Sequence, residues 1–427
     1  MIKHHKILWK KEKKRDIFNM DKQIVRISIA GSVDDGKSTL LGRMLFDLKN
    51  LTQDDIDKIK KITNIENEID FSLFTDGLKD EIIQGITIDV AYRYLSTEKR
   101  KYIISDTPGH VQYTRNMITG SSLSNIMLVL IDVKKGLTSQ TKRHLFISSL
   151  LNVNHIIVCV NKVDLVDYDE LNFNKIKKQI EDFSSKLVIK DFTYIPISAL
   201  KGDNLIERSN NLIWYKGPTL LHCLENIHIS SDKNNVLGRI FVQNIIRDHQ
   251  NNRHIQGAIQ SGLFRTNEEI VVYPSKNRTS IKKILNGDKT INTSFAPMSV
   301  SMLVNDDIDI SRGDLITKSN SLPREGSEIE AFICWLSEVK IDLNKIYKCI
   351  RLSSETRCKF SEILYVYNIE TLKRIKDITD IELNTIFKAK IKFPTKIYFD
   401  SYYENKLTGS FILVDENNNT VCCGMLI

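Results

Sequence analysis

Residues 24–38 read Ile24-Val25-Arg26-Ile27-Ser28-Ile29-Ala30-Gly31-Ser32-Val33-Asp34-Asp35-Gly36-Lys37-Ser38, and this stretch decides the fold. Ile24 to Ala30 is a β-branched apolar run of strand length. Gly31 to Ser38 matches G-x-x-x-x-G-K-[ST], and Gly36 to Leu48 continues with helix-type periodicity. A glycine-rich loop between a strand and a helix is a phosphate cradle. Its backbone N–H groups wrap a β-phosphate, and the helix N-terminus adds partial positive charge. Lys37 reaches the β and γ oxygens, and Ser38 is placed to ligate Mg²⁺. The nucleotide-contacting set expected here is Gly31, Ser32, Val33, Asp34, Asp35, Gly36, Lys37, Ser38 and Thr39.

Outward from this loop, short apolar runs alternate with helix-length amphipathic stretches as far as about Glu225. The strands expected are Ile24–Ala30, Ile88–Leu95, Tyr102–Ser105, Ile126–Asp132, His155–Val160 and Tyr194–Ile197. Several are continuous apolar runs, as when a strand is buried on both faces of a mainly parallel sheet. After about Asn226 the pattern changes to close-spaced β runs such as Arg239–Val242, Glu269–Tyr273 and Ile281–Ile284, with turn signals at Ser261-Gly262 and Asn286-Gly287. The expected architecture is an α/β P-loop GTPase domain followed by two small all-β barrel domains. The boundaries expected are a basic tail over 1–22, a G domain over 23–225, and barrels over 226–318 and 319–427.

Three further stretches complete a nucleotide site. Asp106-Thr107-Pro108-Gly109-His110 follows the Tyr102–Ser105 strand, which puts a carboxylate at a strand's C-terminal edge, where ligands of open α/β sheets sit. Asp106 is expected to hold Mg²⁺ through a water, the Gly109 amide to donate to the γ-phosphate, and His110 to position the attacking water. Asn161-Lys162-Val163-Asp164 closes the His155–Val160 strand. There the Asp164 carboxylate can accept hydrogen bonds from N1–H and the 2-amino group of guanine, donors that adenine lacks. Leaving that acceptor unpaired would cost roughly 1.5–3 kcal/mol, a selection of tens to hundreds of fold. Ser198-Ala199-Leu200 offers a backbone N–H to the guanine carbonyl. Thr87, within Gly85-Ile86-Thr87-Ile88, supplies a hydroxyl for Mg²⁺ and an N–H for the γ-phosphate, so that loss of that phosphate releases the loop. The expected catalytic residues are His110, Thr87 and Lys37, with GTP and Mg²⁺ bound. N-K-x-D alone says little; in this order with the P-loop and D-x-x-G it is specific.

Composition narrows the remaining classes. At 427 residues the chain exceeds the size of a single core, and 41% apolar residues are enough to fold it. The net charge is +8, but residues 1–22 carry eight Lys and Arg against three Asp and Glu, leaving +3 for the remainder. No nucleic-acid binding is therefore expected. No apolar run is long enough to span a bilayer, and no signal sequence is recognisable. The seven cysteines are scattered without CxxC pairing, which fits a reducing cytoplasm and neither a disulfide framework nor a zinc site.

With these motifs placed, the chain resembles the GTPase subunit of bacterial sulfate adenylyltransferase, called subunit 1, a relative of translational GTPases such as elongation factor Tu. The resemblance runs from about Ile24 to Ile427. It is carried by Gly31-Ser32-Val33-Asp34-Asp35, where elongation factors read Gly-His-Val-Asp-His or Gly-His-Val-Asp-Ser. It is carried also by residues 84–94 (QGITIDVAYRY), 96–101 (STEKRK), 112–117 (QYTRNM), 214–221 (WYKGPTLL) and 309–315 (DISRGDL). The resemblance implies a hetero-oligomer with a smaller catalytic subunit, subunit 2. In it GTP hydrolysis drives ATP and sulfate to adenosine 5′-phosphosulfate and diphosphate, for sulfate assimilation and cysteine biosynthesis. No second P-loop follows, so no adenylylsulfate kinase domain is expected. Glu81 is followed by Ile82 and Ile83 where the family commonly has Glu-Arg-Glu, and Val111 replaces an acidic residue. These departures spare the phosphate contacts and bear on the switch. The competing readings are an elongation factor carrying aminoacyl-tRNA and a regulatory switch without coupled chemistry. Asp34-Asp35 and STEKRK argue against the first.

Overall fold

The computed structural model describes residues 22–51, 70–74, 91–107, 114–189, 191–229, 236–376 and 380–427. Thr87, Pro108, Gly109, His110, Ile82, Ile83, Val111 and residues 1–21 lie outside the described residues. The chain divides into two compact units, Met1–Ile229 and Ser230–Ile427.

The first unit is a six-stranded sheet. Its strands are β1 (Gln23–Ala30), β2 (Ala91–Ser96), β3 (Arg100–Asp106), β4 (Ile126–Asp132), β5 (His155–Asn161) and β6 (Asp191–Pro196), in the order β2-β3-β1-β4-β5-β6. All neighbours are parallel except β2, which runs antiparallel to β3. Five helices accompany it among the described residues. They are α1 (Lys37–Asp47), α2 (Thr114–Ser121), α3 (Ser139–Leu150), α4 (Glu170–Ser184) and α5 (Leu220–Asn226). Strand β6 begins three residues before the expected Tyr194, because Asp191 pairs with His155 although its side chain faces water. Asp191 itself carries no strand signal.

Alternation along the strands sorts the core. Val25, Ile27 and Ile29 of β1, with Ile126, Leu128 and Leu130 of β4, form one cluster with Leu40, Leu41, Met44 and Leu45 of α1 and Leu220, Cys223 and Leu224 of α5. Met127, Val129 and Ile131, on the opposite face of β4, are as fully buried, so the apolar run reflects a strand covered on both sides. Phe173, Ile176 and Ile180 of α4 are buried at helical spacing, and Asp169 caps that helix by accepting from the Leu171 and Asn172 amides.

Helix α1 is also pressed against the Phe71–Phe74 turn. A Cβ at Gly42 would stand 1.8 Å from the Phe71 carbonyl oxygen, and the Phe46 and Phe71 rings sit 5.6 Å apart. Helix propensity alone favours Gly42→Ala by about 1 kcal/mol. The contact reverses the sign, because neither backbone can yield. Gly42→Ala is expected to lower stability by about 1–3 kcal/mol, read as a fall in the urea midpoint. An unchanged or raised midpoint would mean that the turn does not rest on the helix.

The second unit holds two closed rings of antiparallel strands. The first contains β7 (Arg239–Phe241), β8 (Arg253–Ser261), β9 (Glu269–Tyr273), β10 (Asn277–Asn286), β11 (Ser299–Val304) and β12 (Leu315–Lys318). Their order is β9-β12-β7-β8-β11-β10, closed by β9 pairing with β10. The second contains β13 (Arg324–Trp335), β14 (Tyr347–Arg351), β15 (Ser354–Tyr367), β16 (Ile386–Phe399), β17 (Ser410–Val414) and β18 (Thr420–Leu426). Their order is β14-β17-β18-β13-β16-β15, closed by β14 on β15. Closure leaves no strand of either ring with an unpaired edge. Within this unit the two barrels are joined by a buried ion pair. Arg239, fully inaccessible, donates from Nη2 and Nε to Asp400 at 2.7 and 2.9 Å, and from Nη1 to the Ser321 and Gly238 carbonyls at 2.6 and 2.9 Å. Thr408 Oγ1 donates to the same carboxylate at 2.6 Å, and the Tyr273 and Tyr398 rings meet at 4.5 Å.

Candidate functional site

The parallel register brings Asp106 level with Ile29, and Asn161 level with Asp132. The loops leaving β1, β3, β5 and β6 therefore share the C-terminal edge of the sheet. Gly36 caps α1 from the left-handed region, φ +92°, and supplies no side chain to the helix. The first intrahelical bond is Leu40 N–H to the Gly36 carbonyl at 2.9 Å, so the amides of Lys37, Ser38 and Thr39 have no partner inside the helix. A Cβ at Gly36 would also stand 2.5 Å from Asn161 Nδ2, which makes glycine obligatory on two grounds.

Lys37 lies folded back under this loop, 8% exposed, with Nζ donating to the Gly31 and Ser32 carbonyls at 3.0 Å each. Burial pushes its ammonium below the usual lysine range, against the pull of the Asp106 and Asp35 carboxylates. Asp35, which replaces the histidine or serine of elongation factors, is buried and accepts from the Ser32 amide at 2.7 Å. Burial raises its carboxyl pKa, against the Ser32 amide and Lys37, and Oδ1 has no hydrogen-bond partner.

Asn161 acts as a bracket between loops. Its Nδ2 donates to the Asp35 carbonyl at 2.8 Å and its Oδ1 accepts from the Ala199 amide at 2.9 Å. Lys162, at φ +64°, donates to the Asp34 carbonyl and pairs with Asp132 at 2.9 Å. Burial would raise the Asp132 carboxyl, but Lys162 and the Lys134 and Lys135 amides hold it below the usual range. Asp164, on the Val163–Val166 turn, is half-buried and meets no hydrogen-bonding or ionic partner among the described residues. With the Ala199 amide spent on Asn161, the Leu200 amide meets no partner among the described residues, while Ser198 Oγ accepts from the Lys201 amide at 3.2 Å. Val33 and Ser38 are half-buried, and Thr107 Oγ1 donates to the Ile29 carbonyl. Thr87, Pro108, Gly109 and His110 belong to the segments not described.

Four residues that motif reading passes over hold this site together. Arg43 Nη1 donates to the Leu200 carbonyl at 2.8 Å while Nε pairs with Asp47 at 2.8 Å. Lys135 Nζ donates to the Val33 carbonyl at 3.0 Å, Ser32 Oγ and Thr138 Oγ1 lie 2.8 Å apart, and Asp132 anchors Lys162. Thr138 carries a helix-start signal as the N-cap of α3. Arg43 carries none, being 157 positions from its partner.

His144 of α3 lies buried behind this loop. Gln140 Nε2 and His144 Nε2 are 3.0 Å apart, so the amide donates and the imidazole proton sits on Nδ1. Burial, then the Lys37 and Arg143 charges, lower its pKa to about 3. Between pH 6.5 and about 3 the unfolded chain binds a proton that the folded chain refuses, so stability falls as pH falls through this window. His144→Met should flatten that loss by up to about 1.4 kcal/mol per pH unit, measured by urea unfolding at pH 7 and pH 5. Identical slopes would mean that His144 is charged in the fold.

A nucleotide-type P-loop on this sheet, followed by two closed barrels, defines the translation-factor class of GTPases. The family described as elongation factor Tu GTP binding domain matches residues 22–246, and the GTP-eEF1A C-terminal domain-like family matches residues 328–427. The Saccharomyces cerevisiae Ski7 GTPase-like domain, solved with GTP, shares the fold with a TM-score of 0.51 at 18% identity, over 97% of this chain and 99% of that one. Sulfate adenylyltransferase subunit 1 of Aliarcobacter butzleri is 44% identical over 95% of this chain and 88% of its own length. The bifunctional enzyme CysN/CysC of Rhodopirellula baltica is 43% identical over 95% of this chain, which spans 64% of that longer protein. The chain belongs to the sulfate adenylyltransferase subunit 1 family.

Proposed function

We propose that this chain binds and hydrolyses GTP as the GTPase subunit of a two-subunit sulfate adenylyltransferase. In this reading hydrolysis drives the attack of sulfate on the α-phosphorus of ATP, carried out on a smaller catalytic subunit. What carries the reading is the 44% identity to a subunit 1 sequence over 95% of the chain. Making the phosphosulfate bond is uphill, so an energy-coupling GTPase has work to do there.

The residues present fit the substrate. Three helix-terminal amides without intrahelical partners, at Lys37, Ser38 and Thr39, together with the Lys37 ammonium suit a β/γ-phosphate pair. The Asp164 carboxylate and Leu200 amide, without partners among the described residues, suit a guanine edge. Ser38 hydroxyl, Asp106 through a water, and Thr87 would hold Mg²⁺, which supplies charge neutralisation across the phosphates. His110 would orient the attacking water, and Thr87 would report the γ-phosphate to the partner.

The test mixes the chain with its catalytic subunit, ATP and sulfate, and measures adenosine 5′-phosphosulfate with and without GTP. Yield that does not rise with GTP would overturn the coupling. Guanine selection has its own test. Asp164→Asn should weaken GTP binding by tens to hundreds of fold and move preference toward xanthosine triphosphate, whose base offers a carbonyl where guanine offers an amine. Unchanged preference would remove Asp164 from the base contact.

A further inference from the structure

Apart from the P-loop, the first unit carries a cavity of about 680 Å³ between the loop entering α3 and the flank of α4. That volume is in the range of small-molecule sites. Its walls carry Lys134, Lys135, Lys142 and Lys175 against a single acid, Asp182. Outside the cavity, Lys162 pairs with Asp132 at 2.9 Å and Lys177 of α4 with Glu181 at 3.9 Å, while Lys178 of the same helix has no ion pair among the described residues. Lys134, Lys142 and Lys175 have no ion pair among the described residues.

Two features separate this concavity from an ordinary solvated lysine face. Its lining includes half-exposed apolar side chains, Leu137, Val166 and Phe183, and the Lys142 ammonium stands 5.9 Å from the Phe183 ring centroid. Its inner wall is also continuous with the nucleotide loop. Lys135 lines the cavity yet donates to the Val33 carbonyl at 3.0 Å, and Thr138, just past Leu137, touches Ser32 across 2.8 Å. Unpaired cations around an apolar floor suit a molecule with a multiply charged phosphoryl end and a flat, weakly polar body.

We propose that this cavity is a second ligand site, distinct from the P-loop, that binds a nucleoside polyphosphate. The phosphates meet Lys134, Lys142 and Lys175, and the nucleoside rests on Leu137, Val166 and Phe183. The site does not depend on the sulfate-activation reading.

The test titrates ADP into the full chain already saturated with GDP and Mg²⁺, so that the P-loop is filled. Isothermal calorimetry should show ADP binding with Kd below about 1 mM, pyrophosphate binding more weakly, and both weakening with added salt. The Lys142→Gln/Lys175→Gln double variant should lose at least about tenfold in ADP affinity while its GDP affinity and thermal midpoint stay at wild type. No ADP binding at about 10 mM, equal affinity in the double variant, or pyrophosphate binding as tightly as ADP would each overturn the assignment.

Discussion

Replacing Lys37 with Met is expected to remove most of the stabilisation of this protein by GDP while leaving the nucleotide-free chain folded. Lys37 is 8% exposed, its pKa is lowered by burial, and among the described residues its ammonium donates to the Gly31 and Ser32 carbonyls and feels the Asp106 and Asp35 charges. An apolar side chain of similar length removes a desolvated charge but leaves the Gly31 and Ser32 carbonyls without that donor, so the two effects oppose and the nucleotide-free chain should lose no more than about 1–3 kcal/mol. With phosphates in the loop the loss is larger, because the same ammonium meets a multiply charged oxyanion at close range. Truncating one member of a buried charge pair costs about 2–5 kcal/mol, so GDP affinity should fall by about 30- to 5,000-fold. Thermal melts of both proteins with and without saturating GDP and Mg²⁺ read both halves. At a GDP concentration of about one hundred times the wild-type Kd, wild type should gain about 2.7 kcal/mol and the variant at most about 0.9 kcal/mol. A variant that keeps the GDP shift would remove Lys37 from the phosphate site.

The second large effect is expected in the barrels. Asp400→Ala leaves the Arg239 guanidinium, fully buried, without the carboxylate that accepts from its Nε and Nη2. Breaking one side of a buried pair costs about 3–5 kcal/mol, a large share of the 5–15 kcal/mol that holds a domain together. The second unit should therefore unfold at markedly lower urea, seen as early proteolysis of residues 230–427, while the first unit still binds GDP. The Arg239→Met/Asp400→Leu double variant removes both charges and should recover most of the loss. A single variant within about 1 kcal/mol of wild type would mean that the carboxylate is not what keeps Arg239 buried.

The strand–loop–helix of the P-loop was legible because it is local. A strand, a glycine loop and a helix N-terminus occupy consecutive residues from Gln23 to Asp47, and the backbone itself supplies the donors. Fully buried strands such as β4 were legible for a related reason, since continuous apolar side chains leave no other reading for a short run. The polar start of β6 was not, because its place is dictated by pairing with His155.

By itself, then, the order of the motifs determined the class of fold, the class of ligand and the family resemblance, since each motif works through residues adjacent in the chain. Tertiary structure alone decided how those motifs are held. Asn161 spends its side chain on Asp35 and Ala199, Arg43 reaches Leu200, Gly42 is compressed against Phe71, and Arg239 finds Asp400 161 positions away. Such contacts depend on which elements the sheet register and barrel closure bring face to face. No local propensity encodes that, because each partner taken alone is an ordinary polar or small residue.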